Sequence, residues 1–466
     1  MNQIMKLIAL VFITALSVAC SSQPASTPAA TVTPAPVGTA VSEQESVALA
    51  EKLLDLMIKH DFSTAYGYFD NSMKTALPQA QLQKAWESLI VQAGAYQSKL
   101  NTQPPTHQNQ FTVVVITLQF EKAPLDMRVV INSTTGQISG LRFVPNQSEA
   151  AKKYTPPTYA DPNAFEERDV TVGTGEWQLP GTLTLPKGQG PFPAVVLVHG
   201  SGPNDRDETI GPDKPFKDLA WGLASRGIAV LRYDKRTKVY ADKIASTPNF
   251  TVKEETTDDA LAAVNLLRHT ASVDPKRIFV LGHSLGGLLA PRIGQVDLNI
   301  TGLIILAGPT RPLEDLMVEQ TQYILSLKGT PTPDDQKQLD ALKQQVALIK
   351  ELKPTDVVSP TTTILGAPVS YWLDLETYQP ADVASTLKMP ILILQGERDY
   401  QVTLQDFQGW KDALASHSNV QLKTYPDLNH LFVTGTGKST PEEYNVPGNV
   451  AVKVVDDIAA WVKQQL

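Results

Sequence analysis

The sequence predicts an α/β protein: a doubly wound, mostly parallel sheet with a helical cap, preceded by a small α+β domain. Three observations predict it. From residue 165 onward, short apolar runs alternate with helical segments. Between residues 43 and 150, amphipathic helical stretches come first and runs rich in β-branched residues follow. Proline-rich stretches bracket that earlier region.

The runs after residue 165 are Ala194–Val198, Ile228–Leu231, Ile278–Leu281, Leu303–Leu306, Ile391–Leu394 and, less purely, Val420–Tyr425. A strand covered by helices on both faces must be apolar at nearly every position, so these runs belong in the interior of a parallel sheet. Helical segments such as 258–269 supply the crossovers, and Asp169–Val172 with Gly181–Leu185 reads as an antiparallel hairpin at the sheet edge. Between Leu306 and Ile391 lie about eighty residues, too many for a simple crossover, which predicts a cap over residues 310–385. Leu313, Leu316, Met317, Gln320 and Ile324 mark one amphipathic helix there, and Leu339, Leu342, Val346 and Ile349 another. Their apolar faces, like Tyr371, Trp372 and Tyr378, fit either a pocket wall or ordinary packing.

In the region 43–150, Val47, Leu49, Ala50, Leu53, Leu54, Met57 and Ile58 recur at helical spacing. Weaker helical stretches surround Tyr66 and Phe69, then Leu82, Trp86, Leu89 and Ile90, so three helices are expected. Strands are expected at Phe111–Phe120, Leu125–Ile131 and Ile138–Val144. His60, Asp61, Asp70 and Trp86 are unclustered and read as solvated faces or core edges. Residues 151–164, with three prolines in YTPPTYADP, read as a linker.

The 466 residues carry 40 basic and 48 acidic side chains, a net charge of −8, with 42% hydrophobic and 19% charged residues. That composition fits neither a disordered chain nor a multispanning membrane protein, and it disfavours nucleic acid as a partner. Residues 1–19 have one positive charge at Lys6, an apolar run Leu7–Leu16 and then small residues, which is the pattern of a signal peptide. The lone cysteine, Cys20, stands where such a signal is cut, and a Pro/Ala/Ser/Thr-rich stretch to residue 42 follows as an extended tether. This arrangement resembles a bacterial lipoprotein signal, which implies lipidation of Cys20 and attachment to a membrane. Ser17 stands where that pattern prefers leucine, Leu16 lying one position further out. Ser17, Val18 and Ala19 would equally serve an ordinary signal peptidase, leaving a secreted protein as the alternative.

Four segments carry chemistry. Residues 282–286 read GHSLG between the strand RIFVLG and a helix, the setting in which Gly-x-Ser-x-Gly forms a sharp elbow that lifts a serine hydroxyl off the sheet. Ser284 is therefore the candidate nucleophile, at a helix start whose dipole favours an anion, and Pro291 predicts a kink further along. Such an elbow offers the N–H of the next residue, Leu285, to a developing oxyanion, and the loop HGSGPNDRDE at 199–208 offers a second from Ser201 or Gly202. In that loop Asp205, Arg206 and Asp207 form either a salt-bridged turn or solvated charge. After the Ile391 run comes QGERDYQV and after the Val420 run YPDLNHLF, so Asp399 and His430 follow Ser284 in the order nucleophile, acid, base. His417 precedes the last strand, His269 ends a helix, His283 adjoins the nucleophile and His199 precedes it, so each reads as structural. Glu397 is the reserve acid. No metal or cofactor is called for.

HGSGPNDRDE, the RYDKR of residues 232–236, GHSLGG and QGERD together resemble α/β-hydrolase carboxylesterases close to dienelactone hydrolase and prolyl oligopeptidase-like enzymes. The resemblance covers nearly all of residues 165–466 and implies hydrolysis of a small-molecule carboxylic ester. Residues 43–150 are similar to an uncharacterised bacterial domain often found in front of such hydrolases. A serine peptidase would use the same three residues, and a non-catalytic surface-binding protein could keep the fold as scaffold. No propeller-like repeat accompanies the first alternative, and the intact Ser284, Asp399 and His430 speak against the second. The oligomeric state is not readable from the sequence.

Overall fold

The computed structural model describes residues 41–465 apart from 109, 122–123, 147–153, 246, 354 and 356–361. The stretch that reads as a signal sequence, and Cys20, thus lie outside the described residues. The chain divides into two compact units, residues 1–149 and 150–466.

The first unit opens with four helices: α1 Glu43–Ile58, α2 Phe62–Gly67, α3 Asn71–Ala76 and α4 Gln79–Ala93. Their starts are written locally. Ser42 and Glu45 form a reciprocal capping box on α1, Asp61 caps α2 and Asp70 caps α3. The two aspartates are thereby accounted for as caps, and Trp86 is core. Where one helix was expected around Tyr66 and Phe69, α2 and α3 stand, because Asp70 starts a new helix after a single extended residue. Five strands follow: β1 Tyr96–Thr102, β2 Thr106–Gln108, β3 Phe111–Phe120, β4 Pro124–Asn132 and β5 Ile138–Pro145. They form an antiparallel sheet in the order β1-β3-β4-β5, with β2 also on β3. Leu53, Leu54 and Met57 of α1 pack with Trp86 and with Ile116, Leu118 and Phe120 of β3 in one core. The unexpected β1 reads YQSKLNT and is exposed along most of its length, so pairing with β3 holds it and no apolar alternation announces it.

The second unit is built on eight strands: β6 Phe165–Val172, β7 Leu179–Pro186, β8 Phe192–Val198, β9 Ala229–Tyr233, β10 Val273–His283, β11 Gly302–Leu306, β12 Ile391–Gly396 and β13 Val420–Tyr425. Their order is β13-β12-β11-β10-β8-β9-β7-β6. Strands β8 to β13 are parallel, and β6 and β7 are the expected antiparallel pair at the edge. The apolar runs serve two cores at once. Ala194, Val196 and Val198 of β8 face a core shared with Ala260, Val264 and Leu267 of α6 (Asp258–Arg268) and Ile293 of α7 (Leu285–Val296). Val195 and Leu197 face the other, with Phe216 and Leu219 of α5 (Pro215–Ala224) and Val455 and Ile458 of the last helix, Val452–Gln464.

Between β11 and β12 the expected insertion contains α8 Leu313–Leu327 and α9 Pro333–Glu351, which pack on each other, then a small hairpin and α10 Val369–Glu376. The helix Pro380–Thr386 ends it by packing on α7, with Ala384 in the sheet core. The segment that reads as a linker lies partly on this unit: the hydroxyl of Tyr154 donates to Asp218 (2.7 Å) and that of Tyr159 to the Val450 carbonyl (2.8 Å). No helix among the described residues is long and apolar enough to cross a membrane.

Candidate active site

Parallel strands deliver all their following loops to one end of the sheet. After β8 the chain continues to β9 on one side and, from there, to β10 on the other, so the loops behind β8 and β10 flank a reversal of strand order, where such sheets bind ligands. The loop behind β8 is HGSGPNDRDE, and behind β10 stands Ser284.

Ser284 occupies the single residue between β10 and α7, with φ 54° and ψ −118°. A side chain other than glycine is strained there, typically by about 1–3 kcal/mol, and the surroundings must impose it. They do so through the flanking glycines. A Cβ on Gly282 would lie 2.0 Å from the Gly286 carbonyl oxygen, and one on Gly286 would lie 2.2 Å from that of Val198. The Ser284 N–H is held by the Leu306 carbonyl at 2.9 Å. Gly200 of the β8 loop approaches so closely that a Cβ there would sit 3.1 Å from the serine Cβ. Helix α7 runs from Leu285 to Val296 with Pro291 inside it.

Asp399 and His430, expected behind β12 and β13, meet: the His430 Nδ1 lies 2.7 Å from Asp399 Oδ2, and both side chains are buried. The other carboxylate oxygen accepts the N–H groups of Gln401 (2.8 Å) and Val402 (3.0 Å), and Gln395 Nε2 donates to Oδ2 at 3.1 Å. Four donors therefore surround one carboxylate, and the imidazole is left with Nε2 as its free nitrogen. Glu397 is elsewhere, accepting from the Thr424 hydroxyl at 2.7 Å.

The expected anion donors are available. Among the described residues the N–H groups of Ser201, Gly202 and Leu285 meet no acceptor, whereas that of Gly200 is taken by Glu208 Oε1 at 2.7 Å. The loop is pinned by its carbonyls: Asn204 Nδ2 donates to those of Gly200 (3.2 Å) and Ser201 (3.1 Å), and Thr237 to that of Gly202 (3.2 Å). Of the charges at 205–207, Arg206 and Asp207 are ion-paired, while Asp205 is held by neutral donors. Arg206 meets Asp234 (3.3 Å), Asp207 meets Lys214 (3.0 Å) and Arg232, and Asp205 takes the Thr209 N–H and hydroxyl.

His199 is buried, and its Nε2 donates to the Asp205 carbonyl at 3.0 Å. Burial, aided by the Lys235 charge and opposed by Glu208, brings its pKa down to about 4, so it stays neutral and shapes the loop. His283 has more to do than its position suggests. Its Nδ1 is ion-paired with Glu208 (2.9 Å) and its Nε2 donates to the His430 carbonyl (3.0 Å). Burial pulls its pKa down, but the charge and contact of Glu208, the bond to the His430 carbonyl and the Asp399 charge together outweigh this and raise it above the ordinary histidine value. One buried Glu–His pair thus ties the β8 loop to the backbone of His430. Glu208 was the residue that sequence reasoning missed, although it closes the HGSGPNDRDE run. Trp372 and Tyr378 are framework: the Trp372 indole donates to Ile364, and the Tyr378 hydroxyl to Leu288 (each 2.8 Å).

Residues 195–445 match the family described as "Alpha/beta hydrolase family". Esterase EstD of Thermotoga maritima is 40% identical over 412 residues, covering 87% of this chain and 94% of that protein. The chain belongs to the alpha/beta hydrolase family. Esterase FrsA of Klebsiella pneumoniae subsp. pneumoniae is 26% identical over 166 residues, 35% of this chain and 36% of that protein. Among solved structures, Est1E from Butyrivibrio proteoclasticus has a TM-score of 0.41 at 17% identity, over 64% of this chain and 98% of that one. In front of the hydrolase unit, residues 50–141 match a family described as a protein of unknown function (DUF3887).

Proposed function

We propose that this α/β hydrolase is a serine esterase in which Ser284, His430 and Asp399 act together. His430 Nε2 takes the proton of the Ser284 hydroxyl as its oxygen attacks the ester carbonyl. The tetrahedral oxyanion is held by the N–H of Leu285 and by that of Ser201 or Gly202. Collapse expels the alcohol, which receives the proton from His430, and leaves an acyl-enzyme that water, activated by the same imidazole, hydrolyses. Asp399 holds the ring with Nδ1 protonated and stabilises the imidazolium. The observation that carries this reading is the buried His430–Asp399 hydrogen bond of 2.7 Å behind β12 and β13. The kinship with Esterase EstD over 87% of the chain supports the ester as the bond cleaved.

Nitrophenyl esters of rising acyl length and aminoacyl nitroanilides, assayed side by side, test the reaction class. Ester turnover is expected to exceed anilide turnover, and a fluorophosphonate is expected to phosphonylate the peptide containing Ser284 with loss of fluoride, adding the reagent's mass less HF. Faster anilide cleavage would replace the esterase by a peptidase.

The enzyme is further proposed to act outside the cytoplasm, anchored through a lipid on Cys20, on the strength of residues 1–20. Mass spectrometry of the protein from a membrane fraction should find an acylated N-terminal cysteine, and Cys20→Ser should release the protein from that fraction. An unmodified Cys20, or a mature chain beginning after it, would reject the anchor.

A further inference from the structure

RYDKR brings one buried charge to the site for which the mechanism above has no use. Lys235 is 2% exposed, and its Nζ donates to the Gly200 carbonyl at 2.7 Å while pairing with Glu255 at 2.7 Å. Glu255 stands on a single π-helical turn, Lys253–Thr257, immediately before α6, and its charge helps to raise the pKa of the buried Tyr371 of α10, burial being the larger cause. Turns of this kind are rare and are frequent at functional sites. Burying an ion pair is costly, so the ammonium must be held there for what it contacts.

What it contacts is one end of a peptide group. The Gly200 carbonyl and the Ser201 N–H belong to the same planar, resonance-coupled unit. A cation on the oxygen draws electron density toward it and makes the N–H at the other end a stronger donor. The neighbouring unit, Ser201 carbonyl with Gly202 N–H, receives only the neutral amide of Asn204. The two candidate donors are therefore unequal. Gly200 is also the residue packed against the Ser284 Cβ, so its peptide borders the reacting atoms.

We propose that Lys235 is a positioning residue that orients and polarises the Gly200–Ser201 peptide, and that the Ser201 N–H is consequently the second oxyanion donor. This rests on Ser284 being the nucleophile.

A trifluoromethyl ketone tests it. Ser284 Oγ bonds to the ketone carbon, the hydroxyl proton passes to His430, and the carbonyl electron pair becomes an oxyanion in the hole. Lys235→Met is expected to lower kcat on a nitrophenyl ester about 10- to 100-fold, less than outright loss of a donor, with KM within about twofold. The inhibition constant of the ketone should rise by the same factor, and Lys235→Gln, which keeps a neutral donor, should fall between. Should Lys235→Met fail to fold for want of a partner for Glu255, Lys235→Met/Glu255→Gln removes both charges and is expected to show the same matched losses. Circular dichroism establishes folding. A folded variant with wild-type kcat, or with reduced kcat but unchanged ketone inhibition, overturns the assignment. Mass spectrometry keeps the two readings apart: without a ketone adduct on Ser284 in the wild type both fall, whereas with one and unmatched losses only the role of Lys235 falls.

Discussion

Ser284→Ala is expected to lower kcat/KM on nitrophenyl esters by about 10⁴- to 10⁶-fold while leaving the melting temperature within a few degrees of the wild type. The fold has little reason to notice the change. The backbone N–H of residue 284 keeps its bond to Leu306, the Cβ that packs on Gly200 remains, and the glycines that impose the elbow are untouched. Under the proposed mechanism the reaction, by contrast, loses the atom that attacks. Whatever activity survives comes from the oxyanion donors and from binding, which in such sites retain about 10³- to 10⁴-fold over water. Steady-state kinetics with thermal melting read both halves. Residual activity within tenfold of the wild type would remove Ser284 from the mechanism.

Different physics decided which parts of the molecule could be read from sequence. The central strands were legible because a strand buried on both faces has no freedom to be polar, and Ala194–Val198 and Ile391–Leu394 say so at every position. The elbow was legible because its glycines answer to steric limits that no other residue meets. Strand β1 was not legible. An exposed edge strand is held by backbone pairing, which leaves no trace in side-chain chemistry, and YQSKLNT looks like loop. The division into α2 and α3 turned on one capping residue, Asp70. Long-range charge pairing was the largest omission. That Glu208 meets His283, or Lys235 the Gly200 carbonyl, depends on which loop is packed beside which, and residue spacing carries none of that information. Yet each of these residues lies inside a run already singled out, HGSGPNDRDE, GHSLG or RYDKR. The runs mark segments that the fold brings near one another; only the fold assigned the partners.

The Asp399→Asn variant separates a carboxylate that orients from one that merely fills space. In the wild type, the N–H groups of Gln401 and Val402 point at Asp399 Oδ1, and His430 Nδ1 with the amide of Gln395 points at Oδ2. An asparagine there has one acceptor and one donor end. Two backbone N–H groups cannot turn away, so they claim the amide oxygen, and the NH₂ is left facing His430 Nδ1. That nitrogen must then accept, which moves the imidazole proton to Nε2, the atom required to take the serine proton. The Gln395 amide, now facing another donor, adds repulsion on the same side. The expected result is a folded enzyme whose kcat/KM falls by about 10⁴-fold, with Ser284 present but without a base. Phosphonate labelling of Ser284 should slow in parallel, because it needs the same proton transfer. If Asp399→Asn kept both activity and labelling within tenfold of the wild type, the acid would have to be sought elsewhere. Glu397 is then the first residue to replace, although its carboxylate is engaged by the Thr424 hydroxyl.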